Sequence, residues 1–255
     1  MNITFPNKTV IVTGAAHGFG RAISLAFARL SAQVWACDML ADELAETRRL
    51  CQEAGGVCEV RQVDVSDKEA VAAFAGEATA ASGRVDILVN NAGGVLGQVG
   101  QPLENVTPEQ WNGIFAVNVT GAFYFSQAVA PGMKAAKYGR IVNISSGAGL
   151  GISLTGIQAY AAAKAALIAL TRQLGHELGP WQITINCIAP GFVRSNPTTE
   201  RQWESYGEEG QRKLVESIAL KRLGSPDDIA NGVLFFASDY AGWVTGQVLS
   251  IDGGR

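Results

Sequence analysis

Thr9-Val10-Ile11-Val12-Thr13-Gly14-Ala15-Ala16-His17-Gly18-Phe19-Gly20 decides the fold of this 255-residue chain. Its first five residues are a β-branched run of the kind a fully buried parallel strand uses. Three glycines follow, and residues 21–30 have the composition of a helix. A strand, a glycine turn and a helix in that order bring backbone N–H groups up to a pyrophosphate. Gly14 makes the tight turn, Gly18 allows close approach and Gly20 lets the helix pack on the strand. The spacing is GxxxGxG, which differs from the GxGxxG of the common dinucleotide fingerprint.

The next segment strengthens that reading. Gln33-Val34-Trp35-Ala36-Cys37 is predicted to be a second strand, and it ends at Asp38, 18 residues past Gly20. A carboxylate about 20 residues on is the group that accepts the adenosine ribose hydroxyls. It would repel a 2′-phosphate, and Met39 offers no cation, so NAD is favoured and NADP is less favoured. His17 is the counter-signal, as a cation near a phosphate. The alternative for Asp38 is that it ends the strand and caps the helix from residue 42.

Residues 42–54 are helical in composition, stop at Gly55-Gly56 and give way to a third strand over 57–63. Asp64-Val65-Ser66-Asp67 leads into an alanine-rich helix over 68–81. Asp64 sits where ligands bind in open α/β sheets and faces the adenine; alternatively it is loop, and Ser66 or Asp67 caps the helix. A fourth strand over 85–89 is closed by Asn90-Asn91-Ala92-Gly93-Gly94. This β-α-β-α-β-α-β order implies a parallel sheet with right-handed crossovers and helices on both faces.

Thr107-Pro108-Glu109 reads as an N-cap with proline in the first turn. The helix that follows, 109–134, is apolar all round, so it is buried by the sheet and by another subunit. Asn118 interrupts it; either its amide satisfies a local backbone group or it has a separate task. After the apolar run Ile141-Val142-Asn143-Ile144 comes a glycine-rich segment and a helix that carries Tyr160 and Lys164. At about 100° per residue the two side chains sit roughly 40° apart on one face, where an ammonium favours the phenolate. Gly179-Pro180 stops that helix, residues 183–189 form a sixth strand ending at Pro190-Gly191, and residues 247–251 form a last one. Residues 192–224 break the rhythm, and a long segment at this edge of the sheet is expected to be a substrate lid. No repeat or linker divides the chain, so residues 1–255 are expected to be a single domain.

Composition narrows the function. A net charge of −3 argues against a general nucleic-acid or anionic-membrane binder. Cys37, Cys51, Cys58 and Cys187 form no CxxC pair, which suits free thiols in a reducing compartment. His17 and His176 lie far apart without an HExxH partner, so no metal site is expected. No secretory signal is apparent and no uncharged apolar run reaches the ~18 residues of a membrane span; a cytoplasmic protein is expected.

With Thr13 to Gly20, Asn90-Asn91-Ala92-Gly93, Asn118, Ser146, Tyr160-Ala161-Ala162-Ala163-Lys164 and Pro190-Gly191 in order along nearly the whole chain, the sequence resembles the short-chain dehydrogenase/reductase family in its single-domain form. That resemblance implies an α/β fold, a doubly wound Rossmann-type parallel sheet of seven strands in the order 3-2-1-4-5-6-7. It implies Tyr160 as general acid/base, Lys164 lowering its pKa and binding the nicotinamide ribose, Ser146 on the substrate oxygen, and Asn118 holding a water that links Lys164 to solvent. It places Gly14, His17, Gly18, Phe19, Gly20, Asp38, Asp64, Val65, Asn91, Ala92, Gly93, Pro190, Gly191, Val193 and Ser195 around the cofactor, with Asn90 lining the ribose region. It also implies a homotetramer, with helices 109–134 and 159–178 at the interface.

Two departures from the family pattern stand out. The usual separation of serine and tyrosine is thirteen residues; Ser146 precedes Tyr160 by fourteen and Ser145 by fifteen, which favours Ser146. Ser195 stands where threonine is common, keeping a hydroxyl.

For the substrate, Arg194, Gln158, Trp203 and Tyr206 are candidate pocket residues. Arg194 either pairs with a substrate carboxylate or is a solvated arginine. Gln158, Ser153 and Thr155 lean toward a sugar, polyol, sugar acid or hydroxy acid, oxidised by NAD at a secondary alcohol. The competing readings are a 3-oxoacyl carrier-protein reductase and, more remotely, a non-catalytic dinucleotide sensor. Six basic against five acidic residues over 192–224 give no patch for an acidic carrier, and an intact Asn, Ser, Tyr and Lys set is needless in a sensor.

Overall fold

The computed structural model describes residues 3–255. Seven strands make one parallel sheet: β1 (Thr9–Thr13), β2 (Gln33–Asp38), β3 (Val57–Gln62), β4 (Ile87–Asn90), β5 (Gly139–Ile144), β6 (Ile183–Pro190) and β7 (Val248–Ile251). Their order is β3-β2-β1-β4-β5-β6-β7, and every neighbouring pair is parallel. The chain therefore turns away from β1 in both directions, and the crevice between the carboxyl ends of β1 and β4 is the switch point where such sheets bind ligands.

Alternation within the strands assigns the two faces. Val10 and Val12 of β1 point to one side with Ile87 and Val89 of β4, while Ile11 and Leu88 point to the other. Helices α1 (Gly18–Arg29), α2 (Ala41–Glu53) and α9 (Pro226–Ala237) cover the first side through Ile23, Phe27, Leu44 and Val233. Helices α3 (Lys68–Ser82) and α5 (Gly121–Ala136) cover the second through Phe74, Phe125 and Met133. Phe27, Phe74 and Phe125 are fully buried, and truncating one such ring to alanine costs about 3–5 kcal/mol. Helix α6 (Gln158–Leu178) packs its alanines, Ala159 and Ala163, against Ile114 of α4 (Pro108–Phe115).

Local signals explain most boundaries. Asp67, and not Ser66, caps α3, its carboxylate accepting from the backbone N–H groups of Glu69 and Ala70. Thr107 caps α4 in a reciprocal box with Gln110, and Pro108 takes the first position. The predicted helix 109–134 is one rod with a flaw: α4 and α5 are joined by a π-turn over Ala116–Thr120. Asn118 lies in that turn, which is why a poor helix former is tolerated there. Taken as one helix, Pro108–Ala136 is long and apolar enough by length and composition to cross a membrane; its uncharged stretch, 110–133, is interrupted by Gln, Asn, Thr and Ser, so the sequence shows no apolar run of that length. Its inner side, through Phe125, Val129 and Met133, lies in the sheet's core instead.

The segment after β6 is not an irregular loop. It forms α7 (Pro197–Ser205) and α8 (Gly207–Ser217), with Asn196 capping α7. A single parallel bridge between Val193 and Gly224 clasps the base of this excursion.

Candidate active site

One cavity of about 1090 Å³ runs across the carboxyl end of the sheet. That exceeds the roughly 300–1,000 Å³ of a pocket for a single drug-sized ligand, leaving room for a dinucleotide and a second molecule. Every residue named above for the cofactor lines it, with the exceptions of Gly20 and Asn90. Ser146, Tyr160 and Lys164 line the same cavity.

At the β1–β4 crevice the wall is made of backbone. Gly14 has φ +65°, and a Cβ there would come within 2.7 Å of the Ala92 Cα. Gly20 lies beneath the wall, where a Cβ would overlap the Gly14 carbonyl oxygen. The Thr13 hydroxyl accepts from the N–H groups of Asn91 and Ala92, and the Asn91 amide donates to the carbonyls of Thr13 and Gly14. Thr47 on α2 donates to the Ala15 carbonyl from behind. The loop is thereby fixed with α1 aimed at the cavity. No side chain caps α1, and its first turn carries no acid, whereas α3, α4, α7 and α9 are all capped by their own side chains. An uncapped first turn with Gly18 and Phe19 on the cavity wall fits a pyrophosphate.

Asp38 closes this end. Its carboxylate accepts from the N–H groups of Ala16 at 3.0 Å and Leu40 at 3.1 Å, which orients it toward the cavity. His17, the cation proposed near the phosphate, pairs its Nδ1 with Glu43 Oε2 at 2.7 Å. Arg21 is held on Thr47 Oγ1 and the Ala16 and Glu43 carbonyls and does not reach the wall. Asp64 bonds the N–H and hydroxyl of Ser66, still on the cavity wall.

The second end is made of side chains. Ser145 and Ser146 differ sharply: Ser145 is buried and donates to the Lys164 carbonyl at 2.8 Å, tying β5 to α6. The Ser146 hydroxyl accepts from Ala148 N–H, which leaves its own proton free to donate. Lys164 is buried and donates to the Ile144 carbonyl at 3.0 Å, with its ammonium 5.7 Å from the centroid of the Tyr160 ring. Burial lowers the lysine to about 8. Tyr160 departs from expectation: burial raises its phenol above the ordinary value, and the opposing pull comes from Ser146, not from Lys164. Asn118 Nδ2 donates to the carbonyls of Gly94 and Ile114, and its Oδ1 accepts from Gly94 N–H. Its amide thus satisfies backbone groups and holds the loop after β4 against the π-turn.

Several expectations need correction. Asn90 does not line the cavity; it is buried, and its amide donates to Asn143 in a core network that continues to Thr171. Gln158 donates to the Gln101 carbonyl, away from the cavity. Arg194 is paired with Glu200 at 2.8 Å and is off the wall. Trp203 lies behind Phe192, their ring centroids 6.1 Å apart, and Tyr206 packs on the same Phe192. Phe192 itself is the aromatic on the wall, together with Leu96, Ile152 and Leu154, none of which the sequence singled out. Among the described residues no group of three or more His, Cys, Asp or Glu is placed to hold a metal. All four cysteines are free and buried.

A parallel sheet in this order, a glycine-walled crevice and a Ser–Tyr–Lys set beside it define a class of dinucleotide-dependent oxidoreductases, and the chain belongs to the short-chain dehydrogenase/reductase family. Residues 14–255 match the family model described as enoyl-(acyl carrier protein) reductase. Among its relatives, the (2S)-[(R)-hydroxy(phenyl)methyl]succinyl-CoA dehydrogenase subunit BbsD of Thauera aromatica is 39% identical over 249 residues, covering 98% of this chain and 96% of the relative. The "Probable galactose dehydrogenase GalD" of Rhizobium meliloti (strain 1021) is 40% identical over 250 residues, covering 97% and 94%. Among solved structures, a 7α-hydroxysteroid dehydrogenase complexed with NADH and 7-oxo glycochenodeoxycholic acid superposes with a TM-score of 0.91 at 34% identity, over 99% of this chain and 96% of that one. The chain is therefore an oxidoreductase of alcohol and keto groups.

Proposed function

We propose that the protein is an NAD-preferring dehydrogenase that oxidises a secondary alcohol, with Tyr160 as the general base. When bound, the nicotinamide supplies the hydride acceptor. The chain's own residues do the rest. Ser146, with its proton free, holds the reacting oxygen; Tyr160 takes the hydroxyl proton; Lys164, once shared with the ribose, lends positive charge to the phenolate. Asn118 acts by positioning, fixing Gly94 and with it the loop whose Gly93 lies beside Lys164, and holds the water of a proton path to solvent. Residues 192–224 serve as the substrate lid, seated on Phe192.

The observation that carries the cofactor preference is the pair of carboxylates at the adenosine end. Asp38 is aimed at the cavity by two backbone N–H groups, and Glu43 lines the same wall and occupies His17. A ribose 2′-hydroxyl would donate to Asp38; a 2′-phosphate would face the carboxylates of Asp38 and Glu43. The test is kcat/KM with NAD and NADP for one substrate: NAD should win by about a hundredfold or more, a difference of roughly 3 kcal/mol. Asp38→Ala should shrink that ratio at least tenfold, and equal use of the two by the natural protein would refute the reading.

The buried free thiols support a reducing, cytoplasmic setting. Trp111 and Phe123, each 39% exposed on the α4–α5 rod, support burial of that helix against another copy in a homotetramer.

A further inference from the structure

We propose that the substrate carries a bulky apolar body, alicyclic or aryl, beyond its reacting carbon, in place of the hydroxyl-rich body of a sugar or polyol. This rests on the dehydrogenase reading above. Leu96, Ile152 and Leu154 line the cavity that holds Tyr160 and Ser146, and they are 52%, 99% and 51% exposed. Apolar side chains gain from being covered, and exposed apolar surface on a cavity wall marks what the cavity binds. These three stand on the wall, so a molecule that covers them and presents an oxygen to Tyr160 needs hydrocarbon surface.

Most of the polar side chains nearby hydrogen-bond within their own loops and helices. Ser153 and Thr155 share a hydrogen bond at 2.8 Å and accept from the backbone N–H groups of Thr155 and Ile157. Gln202 donates to the Tyr206 hydroxyl. Thr199 accepts from the N–H groups of Ser195 and Asn196 and donates to the Asn196 carbonyl. A site that selects a hydroxylated substrate keeps donors and acceptors aimed at those hydroxyls, because its discrimination comes from polar groups left unpaired by the wrong ligand. Here Ser146 and Tyr160 serve the one oxygen that reacts, and Leu96, Ile152, Leu154 and Phe192 supply an apolar share of the wall beyond them, beside Asn196, Thr198 and Arg255. The same groups that make the sequence look polar at 153–158 are the ones that fold the loop.

The test compares cyclohexanol and 1-phenylethanol with xylitol and galactose, using NAD and following NADH absorbance. The apolar alcohols should be oxidised with kcat/KM at least a hundredfold above the polyol and sugar. A polyol or sugar used equally well or better overturns the inference while leaving the dehydrogenase reading intact. No oxidation of any of them, together with no reduction of the matching ketones by NADH, overturns both. Ile152→Ser and Leu154→Ser, at exposed positions that leave folding unaffected, should each raise KM for cyclohexanol about tenfold with kcat within twofold, as loss of uniform hydrophobic binding requires. Unchanged KM in both variants, with thermal unfolding as in the natural protein, also overturns the inference.

Discussion

At the β1–β4 crevice the cavity wall is backbone, pinned by Thr13, Asn91 and Thr47, and its residue types are dictated by space and φ. At the far end the wall is side chains on loops and short helices, where Ser153, Thr155 and Gln202 spend hydrogen bonds on their own segments and Leu96, Ile152 and Leu154 stay exposed. The first kind of wall recognises a ligand all its relatives can share, because N–H groups and a helix terminus do not depend on side-chain choice. The second kind is free to vary without disturbing the first. A cofactor site and a substrate site can therefore share one cavity and obey different rules.

The largest expected effect that would break this contrast is at Gly20. Gly20→Val would force a side chain into the Gly14 carbonyl and the Asn91 amide. Loss of measurable NAD binding, read by calorimetry on whatever folded protein is recovered, is expected. A variant that binds NAD normally would mean that the crevice is not built on close approach.

Next in size is the serine pair. Ser146→Ala should cut kcat by about a hundredfold or more, since it removes a donor to the reacting oxygen. Ser145→Ala should leave kcat within a few-fold and instead cost about 0.5–1.5 kcal/mol of stability, because it removes a buried hydrogen bond to the Lys164 carbonyl, which keeps its helical partner. Steady-state kinetics and denaturant unfolding on both variants separate the two roles. The reverse pattern would place the reacting oxygen on the wrong serine.

A smaller effect concerns Lys164, whose folded-state pKa is lowered by burial to about 8 from 10.5. Between those values the unfolded chain binds more protons than the folded one, so this group makes stability rise with pH across that window, by up to about 3 kcal/mol. Below pH 8 both states are protonated and the penalty is constant. Lys164→Met lacks the dependence, so the stability of the natural protein relative to this variant should climb from pH 8 to 10.5. A flat difference would show that the ammonium is not destabilised by burial.

The same contrast explains what could be read without coordinates. Val10 to Gly20 is legible because a β-branched run and obligatory glycines leave few alternatives, and the sheet order follows from the strand–helix rhythm through right-handed crossovers. The helix cap at Thr107 is likewise local chemistry. Asn90 and Asn91 are adjacent, yet one enters the core and the other the crevice; strand alternation decides this, and it depends on where β4 ends. Arg194 and Gln158 look free in sequence because their partners, Glu200 and the Gln101 carbonyl, meet them only through local helix formation or across the fold. The Tyr160–Lys164 spacing correctly places both on one wall, but spacing alone overstates the charge coupling, since burial and Ser146 dominate the phenol. The apolar mouth escaped notice because Leu96, Ile152 and Leu154 sit in glycine-rich loops with no periodicity to mark them.

On the proposed function, Tyr160 moves the proton at the side-chain end while the backbone end holds the dinucleotide independently. Tyr160→Phe tests it most directly, with NADH formation and NAD affinity measured on the same preparation. Turnover should fall by at least a thousandfold while the NAD dissociation constant stays within about threefold. Turnover retained within tenfold, or NAD binding lost together with turnover, would contradict the account.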